Sequence, residues 1–191
     1  MPILSHEVRA SYYDWARRGQ VFIAYATVTS PTIWSTAAGT GGPLLWNNSG
    51  PVTATSTTTA PKAVNAVLLG LGVGITTASG AASALGITGG ISVAPTSTTA
   101  IDGSGNLNTG SGITAACNTY RKGTVATAGA WFMPTHGIGT GAVTLSSISP
   151  QWVDLGGSIV VPPGSWASVA ASATATSAVL DIALIWAEIP I

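Results

Sequence analysis

The residues able to do chemistry in this 191-residue chain are few and scattered. His6 and His136 are its two histidines, in neither an HExxH nor an HxH spacing, and with the single cysteine, Cys117, they cannot complete a four-ligand zinc site unless carboxylates join them. A Ser/His/Asp triad would have to combine His136 with Asp102 or Asp154, and no Gly-x-Ser-x-Gly elbow presents the serine. The six carboxylates stand singly, without the local pair that glycoside cleavage uses. Gly137-Ile-Gly139-Thr-Gly141 and Gly70-Leu-Gly72-Val-Gly74 lack the lysine and following helix of a phosphate loop. Asp102-Gly103-Ser104-Gly105-Asn106 lacks the acidic series of a calcium loop and reads as a turn. Asn47-Asn48-Ser49 has the pattern of a glycosylation sequon, and Cys117 reads as a small buried thiol. No metal and no cofactor is implied, and the chain reads as a protein other than an enzyme.

Charge is equally sparse. Charged residues make up 6% of the chain and the formal net charge is zero, against roughly 25% charged residues in an ordinary soluble domain. A neutral chain lacks the basic stripe that duplex nucleic acid or an anionic membrane surface requires, so neither is expected as a partner. The apolar fraction of 46% is broken into short runs: Ala63 to Ile75 contains Asn65 and three glycines, and Ala178 to Ile191 contains Asp181 and Glu188. None reaches the ~20 residues of a spanning helix. Glu7, Arg9, Asp14, Arg17 and Arg18 stand where an export signal would be apolar, so assembly in a cytoplasm is expected. Thr/Ser/Asn/Gly runs such as Thr53 to Thr59, Thr96 to Thr99 and Gly103 to Gly112 would wet the surface.

Two segments organise the chain. Residues 1–19 hold five of the charged residues together with Tyr12, Tyr13 and Trp15, and read as an N-terminal arm with a short helix begun by Ser5 and ended by Gly19. That helix either packs across its own domain or docks on another protein, and Tyr12, Tyr13, Trp15, Arg17 and Arg18 are the side chains that would make such a contact. Residues 20–191 read as an all-β domain, an antiparallel β-sandwich. Short apolar stretches recur between turn signals: Gln20 to Thr29, Ile33 and Trp34, Leu44 to Trp46, Val64 to Ile75, Ile91 to Ala94, Val125 to Met133, Val143 to Ile148, Trp152 to Val161, Trp166 to Ala175 and Ala178 to Ile189.

Two of these strands bear on association. Alternation from Leu69 to Ile75 puts Leu69, Leu71, Val73 and Ile75 on one face and Gly70, Gly72 and Gly74 on the other. A bare glycine face implies a twisted loop or bulge, or close approach by another backbone or a bulky ring. The last strand carries Leu180, Ile182, Leu184 and Trp186 on one face and Val179, Ala183, Ile185, Ala187 and Ile189 on the other, with Asp181 among them. A two-layer sandwich buries one face of a strand, so the second needs a loop, a helix or a neighbouring subunit as cover, and Asp181 needs hydrogen-bond partners. Val179, Asp181, Ala183, Ile185 and Ile189, with the three glycines, are therefore the candidate self-association surface of a homo-oligomer.

The stretch Leu155-Gly-Gly-Ser-Ile-Val-Val-Pro-Pro-Gly164, the small-residue strand after it and the closing strand Leu180 to Pro190 resemble the end of jelly-roll domains in tailed-bacteriophage virion proteins. The whole chain, rich in Gly, Ala, Thr and Ser, is similar to phage capsid cement (decoration) proteins. That resemblance implies a jelly-roll-like sandwich forming a homotrimer on the outer surface of the virion, bound to the major capsid protein and stabilising the shell. A fibre or receptor-binding trimer that recognises a host-surface glycan is the alternative, with Trp46, Asn47 and Asn48 as its local candidate site, and a carbohydrate-active hydrolase is a third reading.

Overall fold

The computed structural model describes residues 12–31, 42–49, 63–77, 79–138, 150–173 and 177–191. Eleven strands follow a short helix, α1, at residues 12–17: β1 (Val21–Thr29), β2 (Leu44–Trp46), β3 (Val64–Thr77), β4 (Ser83–Ile91), β5 (Thr96–Ala100), β6 (Gly103–Asn106), β7 (Asn118–Thr124), β8 (Trp131–Ile138), β9 (Gln151–Val161), β10 (Ser165–Ala171) and β11 (Val179–Pro190). They form two antiparallel sheets, sheet I in the order β6-β1-β11-β3-β9 and sheet II in the order β5-β7-β2-β10-β4-β8. From β1 to β4 and again from β8 to β11 successive strands alternate between sheets, and β4 pairs with β8; this double Greek key is the jelly-roll path. The all-β sandwich expected from the sequence is what forms. Strands β5, β6 and β7 are an excursion between β4 and β8 that adds the β6 edge to sheet I and the β5 edge to sheet II.

The core lies between the sheets. Leu180, Ile182, Leu184 and Trp186 of β11 are each 1% exposed or less and meet Phe22, Ala24 and Ala26 of β1, Leu68, Leu71 and Val73 of β3, and Leu45, Leu85, Ile87 and Val169 from sheet II. Phe22 and Trp186 sit opposite each other in the ladder with ring centroids 5.8 Å apart. Burying each large aliphatic side chain here is worth ~1.5–3 kcal/mol. A one-residue slip of β11 would expose all four and bury Asp181, which fixes the register.

Two expectations shift. Leu69 does not join Leu71 and Val73: a bulge in β3 rephases the alternation, so Leu68 takes the core position and Leu69 turns to the outer side of sheet I. Asp102 to Asn106 is more than a turn, since Gly103–Asn106 pairs with Phe22 to Tyr25 as the edge strand β6. Among the short apolar stretches, Ile33, Trp34 and Val143 to Ile148 lie outside the described residues, as does Ser5. The stretch read as Val125 to Met133 forms its strand later, at Trp131–Ile138, and Ile91 closes β4 instead of opening a strand.

The outer face of sheet I acquires a partial cover. Tyr12, Trp15 and Ala16 of α1 pack on Val21, Leu69 and Ala187, with Val67, Ile185 and Ile189 around them. Helix α1 ends where the sequence places its stop: Gly19 adopts φ +70°, with Gly19 N donating to Ala16 O and Gln20 N to Trp15 O. This pair of bonds is a Schellman cap. A Cβ at Gly19 would also lie 2.7 Å from Ser111 Cβ, so both the turn and the packing demand glycine.

A buried carboxylate ties the excursion to the core. Glu188, 6% exposed, accepts from Ala116 N at 2.7 Å, Cys117 N at 2.9 Å and Trp186 Nε1 at 3.2 Å. Removing it strands three buried donors, each costing ~1 kcal/mol or more. Glu188→Ala is expected to lower unfolding free energy by ~3 kcal/mol and Glu188→Gln by about half of that, read from urea denaturation curves.

Candidate functional site

The polar side chains with chemical potential are dispersed. His136 sits 7% exposed on β8, with Thr135 Oγ1 2.9 Å from its Nδ1 and the Gln151 backbone beside it; neither Asp102 nor Asp154 is among its partners. Asp102 instead accepts from Thr27 N at 2.7 Å and pairs with Arg121 at 3.5 Å, and Asp154 caps Gly156 N at 2.9 Å. The Cys117 thiol is buried, and desolvation followed by the nearby Glu188 carboxylate pushes its pKa far up, which removes the thiolate as a nucleophile. Among the described residues no three His, Cys, Asp or Glu side chains converge as a metal site would require. None of their helices is long and apolar enough to cross a membrane.

Of the local glycan candidate Trp46, Asn47 and Asn48, the central residue is spent on architecture, while Trp46 is half-buried and Asn48 exposed. Asn47 is 0% exposed; its Nδ2 donates to Val64 O at 2.7 Å and Val161 O at 2.8 Å, while its Oδ1 accepts from Ser49 N and Ser49 Oγ. The side chain joins β2 to β3 and β9 across the two sheets, and nothing of it remains for a ligand or for a glycan chain.

The arm residues separate into two groups. Tyr12 and Trp15, with ring centroids 5.7 Å apart, face down onto sheet I. Burial and then the charge of Asp154 raise the Tyr12 pKa. Tyr13, Arg17 and Arg18 face outward; Tyr13 is 69% exposed and Arg17 forms only a long 3.8 Å contact with Asp14. The five side chains proposed as one contact surface therefore present three to solvent.

The self-association residues lie together on the outer face of sheet I, with α1 dividing them. Ile185 and Ile189 contact the cluster under the helix. Val179, Asp181 and Ala183 lie beyond it on β11, beside Gly72 and Gly74 of β3. A bulky ring does approach the glycine face: the Trp152 indole, from β9 of the same chain, lies across Gly70 and Gly72. A Cβ at Gly72 would stand 3.1 Å from its Cε3, and one at Gly70 would overlap the ring. One register row thus runs Trp152, Gly72, Ala183, Tyr25, Gly103 across five strands. Trp152 is 54% exposed and Tyr25 41%. Asp181 finds the partners it needs here, accepting from Tyr25 OH at 3.0 Å and Thr27 Oγ1 at 2.8 Å. The result is Ala183 lying between two aromatic side chains, one of them laid over the glycines of β3.

A second apolar surface lies where the sandwich is open at one side. Among the described residues β9 ends sheet I and β8 ends sheet II, and the gap between these edges is lined by Trp131 and Met133 from β8 and by Ile159 and Val160 from β9. The groove continues as a cavity of about 440 Å³ past Ile91, Pro162 and Trp166. Ile91 is 78% exposed and Val160 51%. Sequence reasoning missed this surface because its residues come from strands far apart in the chain, and nothing local marks Trp131 as an edge residue.

The geometry defines a jelly-roll sandwich with two separate apolar surfaces and a helix strapped to one sheet. Comparison with family models, curated proteins and solved structures found no match for this chain.

His136 makes the sandwich acid-sensitive. Desolvation holds its pKa below the ordinary 6.5, opposed in part by the Gln151 backbone. Below that value the unfolded chain binds a proton that the folded chain resists, so stability is complete above pH 6.5 and falls as pH drops toward the folded pKa. The urea midpoint is expected to drop between about pH 7.5 and about pH 5.5, and His136→Gln is expected to flatten that drop.

Proposed function

We propose that the protein is a structural virion component, a capsid cement or decoration protein that binds the outside of a shell of major capsid protein as a homotrimer and stabilises it. The observation that carries the reading is the outer face of sheet I beyond α1, which the other described residues leave exposed and where Trp152, Ala183 and Tyr25 stand in one row on a chain with almost no charge. A monomer leaves that face in water, and a neighbouring copy of the chain would remove it. The resemblance of the closing strands to phage jelly-roll proteins supplies the shell as the assembly's setting. Several weak contacts per copy then add through symmetry into lasting attachment, and no catalysis is involved.

Shell attachment falls to the outward side of α1. Tyr13, Arg17 and Arg18 are the side chains there with aromatic area and fork-shaped donors suited to a protein surface. Deleting the arm would uncover Val21, Leu69 and Ala187 and so damage the fold, which makes point substitution the cleaner probe. Light scattering on the purified chain is expected to give three times 18.9 kDa. The Tyr13→Ala/Arg17→Ala/Arg18→Ala variant is expected to keep that mass and to lose at least tenfold in cosedimentation with shells of the major capsid protein from the same particle. A monomeric wild-type chain refutes the trimer, and undiminished cosedimentation of the variant refutes the attachment surface.

A further inference from the structure

We infer that the cavity between β6 and β7 is a binding site for a small uncharged saccharide of one or two sugar rings. The inference goes beyond the structural role proposed above and does not rest on it. The cavity, of about 370 Å³, lies where β6 of sheet I stands across from β7 of sheet II. Its size falls within the ~300–1,000 Å³ of small-ligand pockets. The core contributes Phe22 and Trp186 to its lining, and the excursion between β4 and β8 contributes Ser104, Thr114 and Thr119. Functional side chains carried on an insertion and seated on a rigid sandwich are a common way of building a site.

The register puts polar side chains where this sandwich elsewhere places apolar ones. Directly opposed residues of an antiparallel pair share a face of their sheet. Ser104 is opposite Ala24 and Asn106 opposite Phe22, both core residues of β1, and Thr119 is opposite Leu45, a core residue of β2. Ser104, Asn106 and Thr119 therefore face the interior, from opposing sheets. Asn106 is consumed by the frame: its Nδ2 donates to Gly19 O at 2.7 Å and Ile113 O at 3.2 Å, and its Oδ1 accepts from Asn108 N at 2.8 Å. Glu188 holds the other end of the same loop through Ala116 N and Cys117 N, and also holds Trp186 Nε1. Among the described residues the hydroxyls of Ser104, Thr114 and Thr119 have no hydrogen-bond partner.

The lining narrows the ligand. None of the described residues that line the cavity is Asp, Glu, Lys, Arg or His, and burial keeps the Cys117 thiol protonated. A phosphate, carboxylate or ammonium group would give up its water here without a counter-charge. A wholly apolar ligand would cover the hydroxyls of Ser104 and Thr119 and leave them unpaired. Serine and threonine hydroxyls both donate and accept, as sugar hydroxyls do, so the two can pair in either sense. The C–H groups of a sugar ring then meet apolar lining such as Ile113.

The site is tested by titrating the isotope-labelled full chain with glucose, galactose, mannose, N-acetylglucosamine and maltose while following its amide NMR spectrum, with glucuronate and glycerol as controls. At least one of the five sugars is expected to give saturable shifts in the low millimolar range, centred on the amides of Ser104, Thr114, Cys117 and Thr119, and neither control is expected to do so. Ser104→Ala/Thr119→Val removes two hydroxyls at nearly constant shape and is expected to weaken that sugar at least tenfold while leaving the urea midpoint unchanged. Ser104→Phe fills the cavity and is expected to abolish binding; should that chain fail to fold, the double variant decides. Absence of saturable shifts at these amides with all five sugars overturns the site, and so does wild-type affinity in the double variant. Equal binding of glucuronate overturns the uncharged class of ligand. Each of these outcomes is independent of the mass found by light scattering, so failure here leaves the homotrimer reading standing.

Discussion

The central strand of sheet I, β11, is apolar on both of its faces, and a two-layer sandwich can hide one of them. Its inward side chains from Leu180 to Trp186 are nearly inaccessible, and the register of β1 and β3 against it follows from keeping them so. The outward side chains are then left to other devices. Near the C-terminal end the cover is α1, whose Tyr12, Trp15 and Ala16 close over Ala187, Ile185 and Ile189. Toward the start of β11 side chains shrink to Ala183, next to Gly72 and Gly74, and among the described residues the cover there is the Trp152 indole laid on the glycines. The bulge at Leu69 belongs to the same solution, because it delivers one leucine to the helix side while Leu68 remains in the core.

That division explains which parts of the structure were legible in the sequence. β1, β9 and β11 were readable because one apolar face is set against water or small residues, and alternation survives in the chain. β4 was not: Ser83–Ile91 is mostly small residues with glycine at 86, 89 and 90, and its strand character comes from being paired on both sides, by β8 and β10. β5 to β7 are polar and mostly exposed or half-buried, so they look like loops until pairing with β7, β1 and β2 respectively supplies their ladders. The rephasing at Leu69 went unread, since the Leu-Gly alternation is regular from Leu69 onward and the doubled Leu68-Leu69 before it acquires its meaning in the pairing with β9 and β11. The docking of α1 was legible as one of two alternatives, because Tyr and Trp in an arm fit either an own sheet or a foreign surface.

Scarcity of charge has a structural counterpart. Of the carboxylates described, Glu188 organises the turn before β7, Asp102 holds Thr27 and Arg121, Asp181 gathers Tyr25 and Thr27, and Asp154 caps a turn in β9. Asn47 does the same without charge, tying β2 to β3 and β9 with a side chain that looks from sequence like a surface sequon. Glu188, Asp102, Asp154 and Asn47 are occupied with satisfying backbone groups, and Asp181 with two side-chain hydroxyls. Little charge is left for long-range attraction.

Recognition between neutral surfaces has to come from shape, since there is no field to steer an encounter and no repulsion to reject a wrong one. The outer face of sheet I is suited to this because its small residues are bounded rather than continuous. Trp152 and Tyr25 stand on either side of Ala183, with β11 alone between the glycines under the indole and the strand that bears the phenol. A flat stripe of alanine and glycine would accept any apolar surface, but a floor with aromatic walls accepts one of matching width. Tyr25 is held in place by its bond to Asp181, and Trp152 by the glycines beneath it. Both aromatic side chains are therefore held by contacts within the chain itself. Asp181 thus fixes one aromatic ring of this face, and the glycines that looked like gaps in a strand are the seat that fixes the other.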